Sequence, residues 1–340
     1  MSDEGETVAE LEAVDVLAGA PDAALRGLAS LLTPFTAAPG TTLMREGEAA
    51  HHFILLTDGE ARVVVGERDD NELAIVAEGS IVGEIALLRE RPRASTVTAL
   101  TPVRGLMGGR AAFTQLLAIE GVADKVVTRA RRRLAAGLVP VPMTLDDGTA
   151  LRLRPVLPAD QWRLLEADAL ISAKTRYRRF FSVTGITPAT ARYLTEVDYI
   201  DHFVWVAIDD EQTGVGGASY IRSRSDPSVA DISFSIMDEL QGRGLGALLM
   251  GALAIAARRN GISRFAADVL SENAAMVAIL NRAGMEWDMA DRGIRHGTMA
   301  VPEPAPYGIA ADTERSLGAL VDEIGFRAWH SLGTTRGSMR

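Results

Sequence analysis

Residues 230–261 read ADISFSIMDELQGRGLGALLMGALAIAARRNG, and this stretch decides the fold of the second half of the chain. Apolar and polar residues alternate over its first seven positions, which predicts a half-buried strand. A glycine-rich segment follows (QGRGLG, 241–246), and the long run of small and apolar residues after it predicts a buried helix. Glycines let a backbone approach a ligand closely, and amides at a helix N-terminus favour a bound phosphate group. We therefore predict a phosphate site where this strand passes into this helix.

The sequence on both sides of this junction predicts a mixed sheet. Upstream, residues 202–209 (HFVWVAID) and 214–223 (GVGGASYIRS) read as two strands joined by a turn. Downstream, residues 265–285 (FAADVLSENAAMVAILNRAGM) read as a strand followed by a helix that ends at Gly284. Because strands and helices alternate, we expect an α/β domain over residues 143–302.

The first part of the chain has a different pattern. Between residues 35 and 106, short apolar runs alternate with turn residues, which is typical of a small β-barrel or jelly roll. Helical patterns flank this region on both sides. We predict a β-roll domain over residues 1–140, a linker at 138–142 (LVPVP) and a C-terminal helical tail over 303–340.

The composition of the 340 residues excludes several kinds of site. The chain has no cysteine, which rules out disulfides, thiolate metal clusters and a cysteine nucleophile. The 45 acidic residues outnumber the 35 basic ones, which argues against a nucleic-acid partner. No secretory signal and no apolar run long enough to span a membrane are present, so we expect a cytoplasmic protein. The five histidines are scattered, and no metal site is expected.

Residues 83–99 (GEIALLRERPRASTVTA) contain a second phosphate-binding pattern. Glu84 stands at the start of a short predicted helix, and Arg93 precedes a predicted strand. The amides at the helix N-terminus and the guanidinium of Arg93 suit a phosphate, and the carboxylate of Glu84 suits a sugar hydroxyl.

This segment resembles the phosphate-binding cassette of cyclic nucleotide-binding domains, and the resemblance covers about residues 25–137. It implies that Glu84 binds the ribose 2′-hydroxyl and that Arg93 binds the cyclic phosphate. Cyclic AMP is the expected nucleotide, with cyclic GMP left open. The basic run 131–133 in the last predicted helix is interpreted as a solvated face. The implied nucleotide contacts are Gly83, Glu84, Ile85, Arg93, Ala94 and Ser95.

The strand–loop–helix junction, with Asn273 about 30 residues downstream, resembles the GNAT acetyltransferases over about residues 147–302. The resemblance implies acetyl-CoA as co-substrate, with its pyrophosphate on the loop amides and its pantetheine near Asn273 and the end of the strand. The implied acetyl-CoA contacts are Ile236, Met237, Gln241, Gly242, Arg243, Gly244, Leu245, Gly246 and Asn273.

The sequence leaves open which residues act as the general base and the general acid. An acceptor ammonium must lose a proton before it attacks, and a carboxylate acting directly or through water suits this task. Asp231 occupies the position where related enzymes carry a glutamate; Glu239, or water alone, are the alternatives. Leu280 stands where many GNAT proteins carry a tyrosine that protonates the leaving thiolate, so that acid has no counterpart here.

The complete chain resembles the cyclic-AMP-regulated protein lysine acetyltransferases of mycobacterial type. This implies cyclic-AMP-stimulated acetyl transfer to lysine ε-amines of target proteins, with acyl-CoA synthetases and universal stress proteins as substrate classes. Without a cysteine, direct attack in a ternary complex is expected. The alternatives are acetylation of a small amine and nucleotide binding without catalysis. Either residues 171–187 or the tail 303–340 would form an autoinhibitory lid.

Overall fold

The computed structural model describes residues 3–66, 72–170, 185–288 and 293–326. The chain divides into two compact units, separated between Ala130 and Arg131 and again between Gly325 and Phe326. The sequence-based domain limits at 140, 143 and 303 stay predictions. No described helix is long and apolar enough to cross a membrane.

The first unit is a β-roll flanked by helices, which confirms the predicted fold class of this half. Its two four-stranded antiparallel sheets have the orders β1-β8-β3-β6 and β2-β7-β4-β5. The strands are β1 (Leu32–Ala37), β2 (Thr42–Met44), β3 (His52–Asp58), β4 (Glu60–Val64), β5 (Glu72–Ala77), β6 (Ile81–Val82), β7 (Thr96–Ala99) and β8 (Val103–Gly109). The helices are α1 (Asp3–Glu12), α2 (Asp22–Ala29), α3 (Glu84–Arg89), α4 (Arg110–Ala118) and α5 (Val122–Ala136), the last of which extends beyond Ala130.

Strand β3 shows why this unit has two cores. Its Phe53 and Leu55 pack with the apolar faces of the helices, whereas Ile54 and Leu56 pack in the core between the two sheets. Because successive side chains of a strand point to opposite faces, a continuous apolar run is needed to fill both cores.

The second unit is an eight-stranded mixed sheet in the order β15-β16-β14-β13-β12-β11-β10-β9, as the predicted α/β domain requires. Its β13–β14 pair is parallel. The strands are β9 (Val141–Thr144), β10 (Ala150–Pro155), β11 (His202–Ile208), β12 (Gly214–Arg222), β13 (Val229–Ile236), β14 (Arg264–Leu270), β15 (Glu286–Trp287) and β16 (Ile294–Ala300). The described helices are α6 (Gln161–Leu170), α7 (Pro188–Thr195), α8 (Leu245–Arg259), α9 (Ala274–Arg282) and α10 (Ala311–Ile324).

Helix α8 covers one face of this sheet. The indole Nε1 of Trp205 on β11 donates a 2.9 Å hydrogen bond to the carbonyl of Ala252 in α8, and both residues are fully buried. The neighbours Val204 and Val206, whose side chains point the other way, line a cavity on the opposite face. The sheet therefore separates a packed core from a cavity.

Two interpretations of connecting segments need correction or extension. The predicted linker 138–142 is wrong at its end, because Val141 and Pro142 belong to β9, which pairs with β10 at the edge of the sheet. An edge strand tolerates proline, since one side of its backbone has no partner strand. In the tail, α10 is docked: its Leu317 and Val321 are buried in the core that contains α8.

The predicted solvated face at residues 131–133 is also wrong for Arg131 and Arg132. Arg132 donates to the carbonyls of Val197 at 3.2 Å and Glu196 at 2.6 Å, and Arg131 donates to the carbonyl of Asp198 at 3.5 Å. These half-buried arginines tie the end of α5 to the segment that follows α7. Sequence patterns miss such contacts because the partners are more than 60 residues apart.

Candidate functional site

The first unit holds Glu84 and Arg93 together beneath its surface. Glu84 is 1 % exposed and Arg93 is 5 % exposed. The Arg93 guanidinium donates to the carbonyl of Gly83 at 2.9 Å and to that of His52 at 2.6 Å. These two bonds fix its orientation, as a bidentate contact to an anion requires.

A glycine is needed at position 83. Its φ of +86° lies in the left-handed region, and an added Cβ would stand 2.7 Å from Nη1 of Arg93 and 2.6 Å from Cε of Met44. Any side chain here would therefore displace the arginine. Gly83 caps α3, so Glu84 is the first residue of that helix, as predicted.

The electrostatics of this site suit an anionic ligand. Burial lowers the pKa of Arg93, while the nearby carboxylates of Glu84 and Glu48 oppose that shift. A buried guanidinium that is bonded to neutral carbonyls gains from an anion that replaces its lost hydration. Ala94 is exposed, whereas Ile85 and Ser95 are half-buried; their nucleotide contacts stay predictions.

In the second unit, β13 and β14 separate along their length. Their parallel pairing runs from Val229↔Arg264 to Asp231↔Ala266 and stops there, although both strands continue. Beyond this point the edge of β13 that faces β14 has no strand partner, so its backbone groups are available to a ligand. Because hydrogen bonds to one neighbour alternate along an antiparallel strand, the amide of Ile236 faces this gap.

The two predicted pantetheine contacts therefore differ. The amide of Met237 donates to the carbonyl of Val215 at 3.1 Å and is already used within the sheet. The carbonyl of Ile236 accepts from the side-chain amide of Gln241 at 3.1 Å. Of the two backbone N–H groups, that of Ile236 is the better placed to reach a ligand.

The loop 241–246 forms the N-terminus of α8, as the sequence predicts. Gly242 and Gly244 have φ values of +76° and +92°, and Gly244 is the N-cap of the helix. The orphan amides in the first turn of such a helix form a phosphate cradle. Leu245 and Gly246 are buried in the first turn of α8, and Gly246 packs against α9, where an added Cβ would stand 2.7 Å from Cδ1 of Ile279. These residues thus fit a bound pyrophosphate.

Asn273 is the N-cap of α9. Its side-chain Oδ1 accepts from the amide of Met276 at 3.3 Å, so it has a structural role in addition to any ligand contact.

We expect Asn273→Ala to lower the free energy of unfolding of the ligand-free protein by about 1 kcal/mol, since an N-cap oxygen is lost. Asn273→Ser keeps a capping oxygen and is the matched control. Urea unfolding measures both. Equal midpoints for Asn273→Ala and the parent protein would contradict a capping role.

Asp231 lies on the face of the sheet that carries the cavity. The exposed side chains of Asp231 and Ser233 and the buried side chains of Ala230 and Ile232 confirm the predicted alternation. Partial desolvation by the surrounding protein raises the pKa of Asp231, although its side chain still reaches solvent, and the like charge of Asp268 on β14 adds to the shift. A carboxyl whose proton affinity is raised is a stronger base, so the shift suits proton abstraction.

The structure also shows the surroundings of Glu239, the alternative base, and of Leu280, which stands where many GNAT proteins carry a tyrosine. Glu239 is exposed in a short 3₁₀ turn after β13. Leu280 is fully buried in the core behind α9 and offers no proton. Residues 171–184 of the first candidate lid lie outside the described residues, as does the tail from 327 onward.

The cavity on the Asp231 face has a volume of about 110 Å³. Its lining includes Ser219 and Ser235 from the sheet and a buried ion pair that sequence reasoning missed. In that pair, Arg154 donates two 2.7 Å hydrogen bonds to the carboxylate of Asp160. The two residues of this ion pair are six positions apart, a spacing that matches neither helix nor strand periodicity across a strand and the turn after it. The sequence pattern therefore did not predict the pair.

Comparison with known proteins agrees with both halves of this description. A model of the cyclic nucleotide-binding domain matches residues 34–120, and a model of the acetyltransferase (GNAT) domain matches residues 150–286. The acetyltransferase Pat of Mycolicibacterium smegmatis is 41 % identical over 318 residues, which cover 93 % of each chain. This chain belongs to the Pat acetyltransferase family.

Two further proteins are similar. A solved structure, a cAMP-binding acyltransferase from Mycobacterium smegmatis, is 35 % identical, covers 94 % of this chain and 97 % of its own, and has a TM-score of 0.49. A cAMP-dependent protein kinase regulatory subunit of Colletotrichum orbiculare is 38 % identical over 85 residues, which are 25 % of this chain and 22 % of that protein. As a Pat-type protein, this chain is an acyltransferase, and its two domains imply the use of cyclic AMP and acetyl-CoA.

Proposed function

We propose that this protein transfers acetyl from acetyl-CoA to the ε-amine of lysine in target proteins and that cyclic AMP stimulates the transfer. The observation that carries the proposal is the gap between β13 and β14, which lies between the phosphate loop and the carboxylate of Asp231. The Pat relative, similar over nearly the whole chain, supports it. The protein would act in the cytoplasm, on acyl-CoA synthetases or universal stress proteins.

The chemistry needs three contributions from this chain. The loop amides of 241–246 hold the pyrophosphate, and the amide of Ile236 donates to the donor molecule in the gap. Asp231 takes a proton from the acceptor ammonium, directly or through one water, and the free amine attacks the thioester carbonyl in a ternary complex. The tetrahedral adduct then collapses: the C–S bond breaks, and CoA leaves as a thiolate that takes a proton from solvent, since Leu280 offers none. The new amide nitrogen loses its remaining extra proton to water. The raised pKa of Asp231 increases the driving force for that proton transfer.

Stimulation by cyclic AMP follows from thermodynamic linkage. The nucleotide activates only if it binds the active arrangement more tightly than the resting one. The ordered Arg93 guanidinium supplies the main attraction for its phosphate. Helix α10 is docked in the core of the second unit, which favours residues 171–187 over the 311–324 part of the tail as the lid.

The test is transfer of labelled acetyl from acetyl-CoA to a lysine-bearing protein, with and without cyclic AMP. We expect transfer that rises with nucleotide, and cyclic GMP is run beside it. Free amines form the second arm. Faster acetylation of small amines than of protein lysine would overturn the protein-substrate proposal, and equal rates with and without cyclic AMP would overturn the regulation.

A further inference from the structure

The phosphate loop (241–246) is held by side-chain contacts with the turn between β9 and β10 (residues 145–149). The Arg243 side chain leaves the loop and reaches that turn. Its Nε and Nη2 donate to the carboxylate of Asp147, and Nη2 also donates to the hydroxyl of Thr149. Residues almost 100 positions apart are joined by these contacts.

The turn that receives Arg243 is itself well ordered. Oδ1 of Asp147 accepts from the amide of Thr149 at 2.9 Å, and the amide of Leu145 donates to the carbonyl of Thr149 at 2.9 Å. The hydrogen bond from Arg243, followed by those from Thr149, lowers the pKa of Asp147 to about 2. Its carboxylate is therefore ionised at neutral pH and remains an acceptor for the guanidinium.

The turn also lies against the helix N-cap. A Cβ added to Gly244 would stand 2.9 Å from Oδ2 of Asp146. Since Gly244 also has a φ of +92°, both the backbone conformation and the available space demand glycine here. The loop thus touches the turn at two consecutive residues, Arg243 through its side chain and Gly244 through its backbone.

These contacts restrict the conformation of a loop that would otherwise be flexible, because it is rich in glycine. Gly242 and Gly244 occupy left-handed conformations, and a glycine-rich segment without outside contacts samples many others. Ordering the loop at the moment of binding would cost affinity, and contacts that order it beforehand remove that cost.

We propose that Asp147 and Thr149 are positioning residues for the acyl donor, which hold Arg243 and so keep the loop in its pyrophosphate-binding conformation. The inference rests on the proposed binding of acetyl-CoA at this loop. It assigns a binding function to a turn that lies outside the loop itself. It also implies selectivity, since only donors with a pyrophosphate benefit from the contacts between the turn and the loop.

The test compares acetyl-CoA with acetyl-pantetheine, a donor that lacks the pyrophosphate and the adenosine. For Asp147→Asn we expect a KM for acetyl-CoA that is roughly threefold to tenfold higher, with kcat unchanged, because a preorganising contact is lost. The kcat/KM for acetyl-pantetheine should equal that of the parent protein. Thr149→Val should shift the same KM in the same direction by a smaller factor, and Asp147→Glu should recover part of the loss.

Glu303→Gln is the matched control, because it also removes a carboxylate that accepts from an arginine, here Arg258 in the last turn of α8 and away from the loop; its KM should equal that of the parent. An unchanged or lowered KM for acetyl-CoA in Asp147→Asn would overturn the inference. So would an equal loss with acetyl-pantetheine, or an equal rise in Glu303→Gln. If the parent transfers no acetyl, the proposed function fails, and CoA affinity measured by calorimetry on the same variants decides the inference by the same criteria.

Discussion

Arg93→Lys should abolish the response to cyclic AMP, so that acetyl transfer proceeds at one rate with and without nucleotide. The guanidinium of Arg93 donates to two backbone carbonyls, one from Nη1 and one from Nη2, and its five N–H donors allow further bonds to a phosphate. A lysine ammonium has three donors on a flexible stem and lacks the planar fork that allows both tasks. Loss of such a buried, charge-assisted contact costs a few kcal/mol, so the Kd for cyclic AMP should rise roughly 30-fold or more.

Calorimetric titration with cyclic AMP measures this change directly, beside the transfer assay. Arg104→Lys is the matched control, since Arg104 lies in the same unit, is well exposed and pairs with Asp58. It should bind cyclic AMP like the parent protein. Nucleotide affinity that survives in Arg93→Lys would exclude Arg93 as the phosphate contact.

Asp231→Asn should lower kcat by about 10² to 10⁴, the range that general bases contribute. The KM for acetyl-CoA should change little, because Asp231 lies beside the gap and not in the phosphate loop. The deficit should shrink as the pH approaches about 10.4, where the acceptor amine loses its proton to solvent. Steady-state rates across the pH range measure both effects.

The same experiment tests the pH dependence of the parent protein. The pKa of Asp231 is raised, so its carboxyl is protonated and inactive at a pH where an ordinary aspartate is already ionised. Activity should therefore fall on the acid side at a higher pH than an ordinary aspartate would give. Asp268→Asn removes the like charge and should move that fall to lower pH. Glu239→Gln should keep the parent profile; a collapse of kcat there instead would assign the base to Glu239.

The sequence predicted those features that depend on neighbours along the chain. The helix that begins at Glu84, the strand that ends near Ile236 and the loop that caps α8 were all predicted from local periodicity and glycine placement. The face of Asp231 was predicted as well, because side-chain direction in a strand follows from alternation alone. The resemblance to known families added ligand roles that no periodicity supplies.

The same local patterns failed where a partner lies far away in sequence. Prolines at 140 and 142 read as a linker, yet Val141–Thr144 pairs as an edge strand because β10 lies beside it. The arginines 131–133 were interpreted as a solvated face because runs of charged residues are usually exposed. In the structure, Arg131 and Arg132 donate to the backbone carbonyls of residues 196–198. Hydropathy carries no information on which backbone carbonyl will be within reach.

By itself, the sequence predicted a β-roll followed by a mixed α/β sheet, and it singled out the glycine loop, Asp231 and Arg93 as candidate ligand-binding and catalytic groups. Only the tertiary structure decided how those groups are held. It placed two carbonyls behind Arg93, separated β13 from β14 after Asp231, and joined Arg243 to Asp147 across 96 positions. Local patterns specify which groups are available, whereas their orientation depends on distant segments that meet only when the chain folds.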